Sequence, residues 1–286
     1  LPDYSVLSLP GIIISSTELI ERRQKGEIFA LIDVREIAQW QAATLPGAHH
    51  LNVYDYFIPD STEAGASSLL NAFQRAWQTL NISDNVIPIF FEQQVGMRSP
   101  RGAWFALCGG IQQPLVLDGG LEAWQRAGGA LMPGSGNCAV VSAENPDYRA
   151  DDGARIAQLN ALTATRAEVL AAEVQILDVR RPSEFSGEFA HECCQRAGRI
   201  PGARLLFWED VVHNGAFRDA EEIRQLAEQA GLQPDQRVVI YCHRGARAAT
   251  VFIALQLAGY SQLAIYVGSW HEWAEHAELP LLTGFN

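Results

Sequence analysis

Cys242-His243-Arg244-Gly245-Ala246-Arg247 follows the apolar run Val238-Val239-Ile240-Tyr241 and precedes helix-forming residues from Ala248 to Ala258. The order predicts a strand, a tight loop and a helix, with a thiol at the first loop position. A loop that curls so that successive backbone N–H groups face inward forms an anion cradle at the helix N-terminus. Gly245 suits such a curl because it tolerates positive φ. Arg244 and Arg247 add full positive charge, and a thiolate in this setting is stabilised by its neighbours. The chemistry that fits is nucleophilic attack by sulfur on an anionic substrate. The alternative reading is a buried strand-end cysteine between two surface arginines.

The chain carries its pattern twice. Leu31-Ile32-Asp33-Val34-Arg35 is matched by Ile176-Leu177-Asp178-Val179-Arg180, and Leu45-Pro46-Gly47-Ala48 by Ile200-Pro201-Gly202-Ala203. The stretch Leu115 to Trp124 is matched by Ala264 to Trp273, each ending on a tryptophan. Three matches in the same order predict a duplicated domain, and 286 residues suffice for two separate cores. The expected boundaries are 8–133 for the first domain, 134–153 for a Gly-, Asn-, Asp- and Ser-rich linker, and 154–286 for the second domain.

Strand-length apolar runs at 29–34, 87–91, 115–117, 176–179, 238–241 and 264–267 alternate with helical stretches at 17–24, 69–79, 220–229 and 248–258. This predicts an α/β fold with mainly parallel sheets flanked by helices. Ser16 or Thr17, and Thr163 or Thr165, are the candidate caps of the first helix in each half. Ligands of open parallel sheets collect at the carboxyl ends of the strands, where Cys242 stands.

The net charge of −12 argues against nucleic-acid and anionic-membrane partners, so an anionic substrate must be drawn in by local arginines. No apolar run reaches the roughly 18–20 residues of a membrane span. Five cysteines, Cys108, Cys138, Cys193, Cys194 and Cys242, form no disulfide framework, which suits a reducing, cytoplasmic compartment. The sequence opens on Leu1, which leaves a periplasmic protein with its signal removed as the alternative. Adjacent Cys193 and Cys194 with His191 nearby suggest a redox pair or metal site, but no second ligand cluster is evident, and no metal is assigned. Cys108 reads as packing.

The Asp-Val-Arg strand ends, the Pro-Gly-Ala turns, the Cys-x-x-Gly-x-Arg loop and the Gly-x-x-x-x-Trp segments together resemble a tandem-domain rhodanese over nearly the whole chain. The resemblance implies two rhodanese-like domains, the second catalytic. It implies sulfur transfer through a persulfide on Cys242, without metal or organic cofactor, from a small anionic donor to cyanide or a thiol. His243, Arg244, Gly245, Ala246 and Arg247 are assigned with Arg180 to substrate binding, although Asp-x-Arg at a strand end more often ties down the following loop. Glu92 stands in the first half where Cys242 stands in the second, so that half is expected to form one wall of the cleft without chemistry. Trp124 and Trp273 read as packing, whereas Trp270 and His271 are expected to line the cleft.

Thiosulfate-using members carry a basic residue two positions after the cysteine, which here is Arg244. Two residues depart from the tandem pattern: Arg247 replaces the usual threonine, and Glu184 replaces a second anion-binding arginine. The alternatives are a mercaptopyruvate-using enzyme and a persulfide carrier serving a protein partner. A cysteine phosphatase or arsenate reductase would need its arginine one position later, where Ala248 stands.

Overall fold

The computed structural model describes residues 11–57, 60–83, 85–111, 113–141 and 153–285. Strands are β1 (Ile13–Ile14), β2 (Phe29–Asp33), β3 (His49–Asn52), β4 (Ile87–Phe91), β5 (Leu115–Leu117) and β6 (Cys138–Val140), then β7 (Thr163–Ala164), β8 (Gln175–Asp178), β9 (Arg204–Leu205), β10 (Val212–His213), β11 (Ala216–Phe217), β12 (Val238–Tyr241) and β13 (Leu263–Tyr266). The first six form one sheet in the order β1-β5-β4-β2-β3-β6, and a second sheet runs β7-β13-β12-β8-β9. Every pairing within these two sheets is parallel. β10 and β11 form a separate antiparallel hairpin.

The duplication is visible in the register. Asp33 pairs with Phe91 in the first sheet, and Asp178 with Tyr241 in the second, so the residues that follow, Glu92 and Cys242, are equivalent. Backbone bonds repeat this: Leu121 N–H donates to Glu92 O and Trp270 N–H to Cys242 O. The central strands β4 and β12 are buried apart from Ile87 at the start of β4, as apolar runs in doubly covered parallel sheets are expected to be.

Two local expectations are corrected. Residues 138–140, placed in the linker by composition, form β6 and extend the first sheet beside β3. Gly134 lies against the Trp40 indole, where a Cβ would come within 2.3 Å, so its glycine serves packing. Residues 142–152 of the expected linker, and residues 8–10 of the expected first domain, lie outside the described residues. The cap of the first helix is Ser15, whose side chain accepts from Glu18 N–H. In the second half Thr165 caps as expected, whereas Thr163 belongs to β7.

The halves share a core. One cluster of buried side chains runs from Phe90, Trp104 and Leu107 in the first half to Leu177, Ile240 and Phe252 in the second. Helix Arg98–Cys108 packs against helix Ala246–Leu257. Gly102 is required on the sheet-facing side of Arg98–Cys108, because a Cβ there would meet the Phe90 ring at 2.6 Å. Polar ties cross the same boundary: Thr250 Oγ1 donates to Gly96 O (2.8 Å), Val95 N–H to Gly215 O (2.8 Å), and Phe217 N–H to Asp118 Oδ1 (2.8 Å). No described helix is long and apolar enough to cross a membrane.

Candidate active site

β12 delivers Cys242 to the carboxyl edge of the second sheet, and helix Ala246–Leu257 begins four residues later. Gly245 has φ +90°, which turns the loop back, and its N–H donates to Cys242 Sγ at 3.0 Å. The sulfur therefore sits inside the curl of its own loop. Cys242 is only 1% exposed and is reached through a cavity of about 370 Å³. His243, Arg244, Ala246 and Arg247 line that cavity, together with Arg181 and Glu184 after β8, His191, and Trp208 and Glu209 on the 3-10 turn Trp208–Val211. The first half contributes Tyr54, Phe57 and Met97. Met97 belongs to the loop that opens with Glu92, so that loop does form one wall.

Ser269 supports the loop from behind. Its Oγ accepts from Cys242 N–H (3.3 Å) and donates to Tyr266 O (2.9 Å), and it holds φ +54° to do so. A left-handed non-glycine residue costs about 1–2 kcal/mol. The equivalent Gly120 leaves no room for a side chain, since a Cβ would stand 2.4 Å from Glu92 O. In the sequence, nothing marks Ser269 beyond its position before Trp270.

The two departures from the tandem pattern compensate each other. Arg247 Nη1 donates to Glu184 Oε2 (2.6 Å) and Nη2 to Glu184 Oε1 (3.0 Å), a bidentate pair in which Glu184 is 2% exposed. Burial alone would push the Glu184 carboxyl up; the Arg247 hydrogen bonds and charge, helped by Arg180, outweigh it and hold the carboxyl at about 2. Arg247 thus reaches the cavity with its charge already matched. Arg244 differs: it lines the cavity, and its Nε is buried without a hydrogen-bond partner among the described residues.

Arg180, expected to bind substrate, is buried and does not line the cavity. Its guanidinium donates from Nε and Nη2 to Asp178 and from Nη2 to Gly198 O (2.7 Å), and it lies over the Trp270 ring at 4.6 Å. Asp178 also accepts from Tyr241 Oη (2.6 Å). Arg35 and Asp33 repeat the arrangement, with Thr44 Oγ1 as the extra donor. These are buried ties between strand ends and following loops. Trp270 is likewise buried beneath Arg180, and His271 stands outside the cavity with its ring 5.9 Å from His243. Trp124 and Trp273 pack as expected, donating to Ala130 O and Pro280 O respectively.

His243 is neutral near pH 7: burial first, then the positive surroundings of His191, Arg244, Arg247 and His271, bring its imidazole down to about 3. It cannot contribute fixed positive charge to the site. A second cation comes from the first half. Arg101, 4% exposed, donates from Nη2 to Tyr56 O (2.6 Å) and lies over the Phe57 ring at 4.2 Å, while its Nε and Nη1 have no partner among the described residues. It shares a pocket of about 10 Å³ with Arg244 and Gly245 behind the loop. Burial lowers Arg101 to about 10, and the neighbouring Cys242 and Tyr54 act to raise it.

In the first half Glu92 fills its own cradle. One carboxylate oxygen accepts from the N–H groups of Gly96 (3.1 Å), Arg98 (2.9 Å) and Ser99 (2.8 Å) and from Ser99 Oγ (3.0 Å). A fixed side-chain carboxylate occupies the anion site there, which excludes an exchangeable one.

The model for the rhodanese-like domain matches residues 15–127 and again 163–276. Over 96% of this chain and 98% of its own length, the "Sulfur carrier protein TtuD" of Thermus thermophilus is 25% identical. A solved structure titled "Crystal Structure of Probable Thiosulfate Sulfurtransferase" is 28% identical, with a TM-score of 0.65 over 89% of this chain and 97% of that one. The "Crystal structure of YnjE" gives a TM-score of 0.78 at 20% identity, covering 98% of this chain and 70% of the other, a likeness of fold.

Proposed function

Because the chain belongs to the rhodanese family, as a tandem of two rhodanese-like domains whose relatives transfer sulfur, we propose that it moves sulfane sulfur from thiosulfate to a thiol or cyanide through a persulfide on Cys242. The observation that carries this reading is the Cys242 sulfur held at 3.0 Å by Gly245 N–H at the floor of a cavity lined by Arg244. The thiolate attacks the outer sulfur of thiosulfate, the S–S bond breaks, and sulfite leaves with the bonding pair. Cys242 then carries the sulfur as a persulfide anion, which an acceptor thiolate or cyanide takes up, restoring the thiolate.

Negative charge enters and leaves through one loop in both halves of the reaction, so the same N–H group and Arg244 serve both. No side chain need act as base at a thiolate, in keeping with a neutral His243. The apolar wall of Tyr54, Phe57, Met97 and Trp208 exceeds what thiosulfate needs and suits an organic thiol as acceptor. Intact-mass measurement tests the reading: thiosulfate should add one sulfur atom, cyanide should remove it, and Cys242→Ser should neither gain the adduct nor form thiocyanate. Thiocyanate production by Cys242→Ser would refute it.

A second reading, a persulfide carrier for a protein acceptor, is favoured by the likeness to the Thermus thermophilus sulfur carrier. Rapid discharge of the persulfide to small thiols supports the enzyme; discharge only to a protein acceptor supports the carrier.

A further inference from the structure

Beside the active-site loop stands a group that the sulfur-transfer reading does not use. Cys193 Sγ and Cys194 Sγ each lie 3.4 Å from the same atom, His243 Nε2, and all three lie within 4.8 Å of one another. We propose that Cys193, Cys194 and His243 form a site for a thiophilic divalent cation, Zn²⁺, beside the catalytic cavity, which only His243 of the three lines.

The spacing carries the argument. With Zn–S of about 2.3 Å and Zn–N of about 2.0–2.1 Å, two ligands at a tetrahedral angle stand about 3.5–3.6 Å apart. Both sulfur-to-nitrogen separations are within about 0.2 Å of that value, so His243 Nε2 already stands at ligand spacing from each sulfur. Two thiolates and one imidazole are also the donor types that select Zn²⁺ over the hard cations. The third ligand is what sequence adjacency hides: His191 is the nearby histidine in the chain, but its ring lies flat on His243 at 4.0 Å and its Nε2 faces Glu184 Oε1 at 3.1 Å. His191 therefore fixes the plane of His243 and stays out of the ligand set, as an outer-shell partner does. Cys193 is exposed, which gives the ion an entry path and leaves the fourth position to water. Binding displaces one proton from each thiol and forms two Zn–S bonds and one Zn–N bond, with no change of oxidation state.

A metal here ties residues 191–194 to the residue that follows the nucleophile. Because the ion displaces two thiol protons, it does so without changing the net charge beside the anion-binding cavity. The site stands independently of which donor Cys242 uses.

The test takes the full chain with Cys242→Ser, so that the nucleophile cannot supply a thiolate, reduced and kept anaerobic, and titrates it with Co²⁺ as the spectroscopic probe. One equivalent should bind with thiolate-to-cobalt charge-transfer absorption, and Zn²⁺ should displace it. Replacing Cys193 by Ser, which leaves the buried packing alone, should weaken binding by more than the roughly 10–100-fold typical of losing an outer-shell partner and reduce the charge-transfer intensity. Cys194→Ser and His243→Ala should weaken it comparably. An unchanged spectrum in Cys193→Ser, or binding without thiolate absorption, would overturn the proposal.

Discussion

Arg244 and Arg247 look alike in the sequence and are unlike in the fold. Arg247 spends its charge on Glu184, while Arg244 keeps a buried Nε without a partner among the described residues. Arg244→Ser should therefore lower kcat/KM for thiosulfate by roughly ten- to a hundredfold, the equivalent of one charge-assisted hydrogen bond of about 1.5–3 kcal/mol. Steady-state kinetics with thiosulfate and mercaptopyruvate in parallel check this, and the loss should be smaller for mercaptopyruvate. The Glu184–Arg247 pair predicts a pH effect on stability. Since the folded carboxyl is held at about 2, below the unfolded value of about 4.3, its contribution is complete above about pH 4.3 and is lost as pH falls toward 2. The stability gap between the wild type and Glu184→Gln, read from urea midpoints, should be widest near pH 6 and shrink toward pH 2.5; a gap constant with pH would mean that the pair contributes through packing alone.

At the scale of elements, the loop that follows the central strand has been used in two ways. After β12 it encloses a sulfur that can accept and release substrate atoms; after β4 it encloses the carboxylate of Glu92, which cannot leave. Burial pushes the Glu92 carboxyl up, against the pull of the donors from Ser99, Arg98 and Gly96. Simple repulsion of the sulfur donor is therefore a poor description of Glu92: its charge is engaged within its own loop. Glu92→Gln should destabilise the protein by about 1–3 kcal/mol through weaker, partly mismatched hydrogen bonds, while kcat stays near that of the wild type. Chemical denaturation followed by kinetics on the same preparation measures both. A large loss of kcat with unchanged stability would show that the loop governs the chemistry directly.

On the scale of the whole molecule, the first domain supplies structure that the second lacks. It provides Tyr54, Phe57 and Met97 to the cavity, the buried Arg101 behind the loop, and helix Arg98–Cys108 against helix Ala246–Leu257. An isolated fragment of residues 154–286 should expose the apolar face of Ala246–Leu257 and lose the near wall of the site. It should self-associate, as seen by light scattering, and its kcat/KM should fall by more than about tenfold through poorer positioning. A monomeric fragment with undiminished activity would contradict the shared cavity.

Strand and loop types were legible in the chain because their signals are local. Unbroken apolar runs mark the central parallel strands, Cys242 and Gly245 mark the curled loop, and the repeated Asp-Val-Arg and terminal tryptophans disclose the duplication. The edge-side strands β1, β3, β6, β7 and β9 were not legible: most lack an unbroken apolar run, and sheet pairing alone defines them. Composition made residues 138–140 a linker, yet pairing with β3 makes them a strand. The partners of charged groups were equally hidden. Arg180 turns into Asp178 and Gly198, Arg247 meets a glutamate 63 positions away, and His243 faces Cys193 and Cys194 from 50 and 49 positions away. Residue type sets which bonds a side chain can make, but only the tertiary fold decides which partner stands within reach, because hydrogen bonds and ion pairs act over a few ångströms and the chain brings distant segments that close only when both sheets and their shared core are in place.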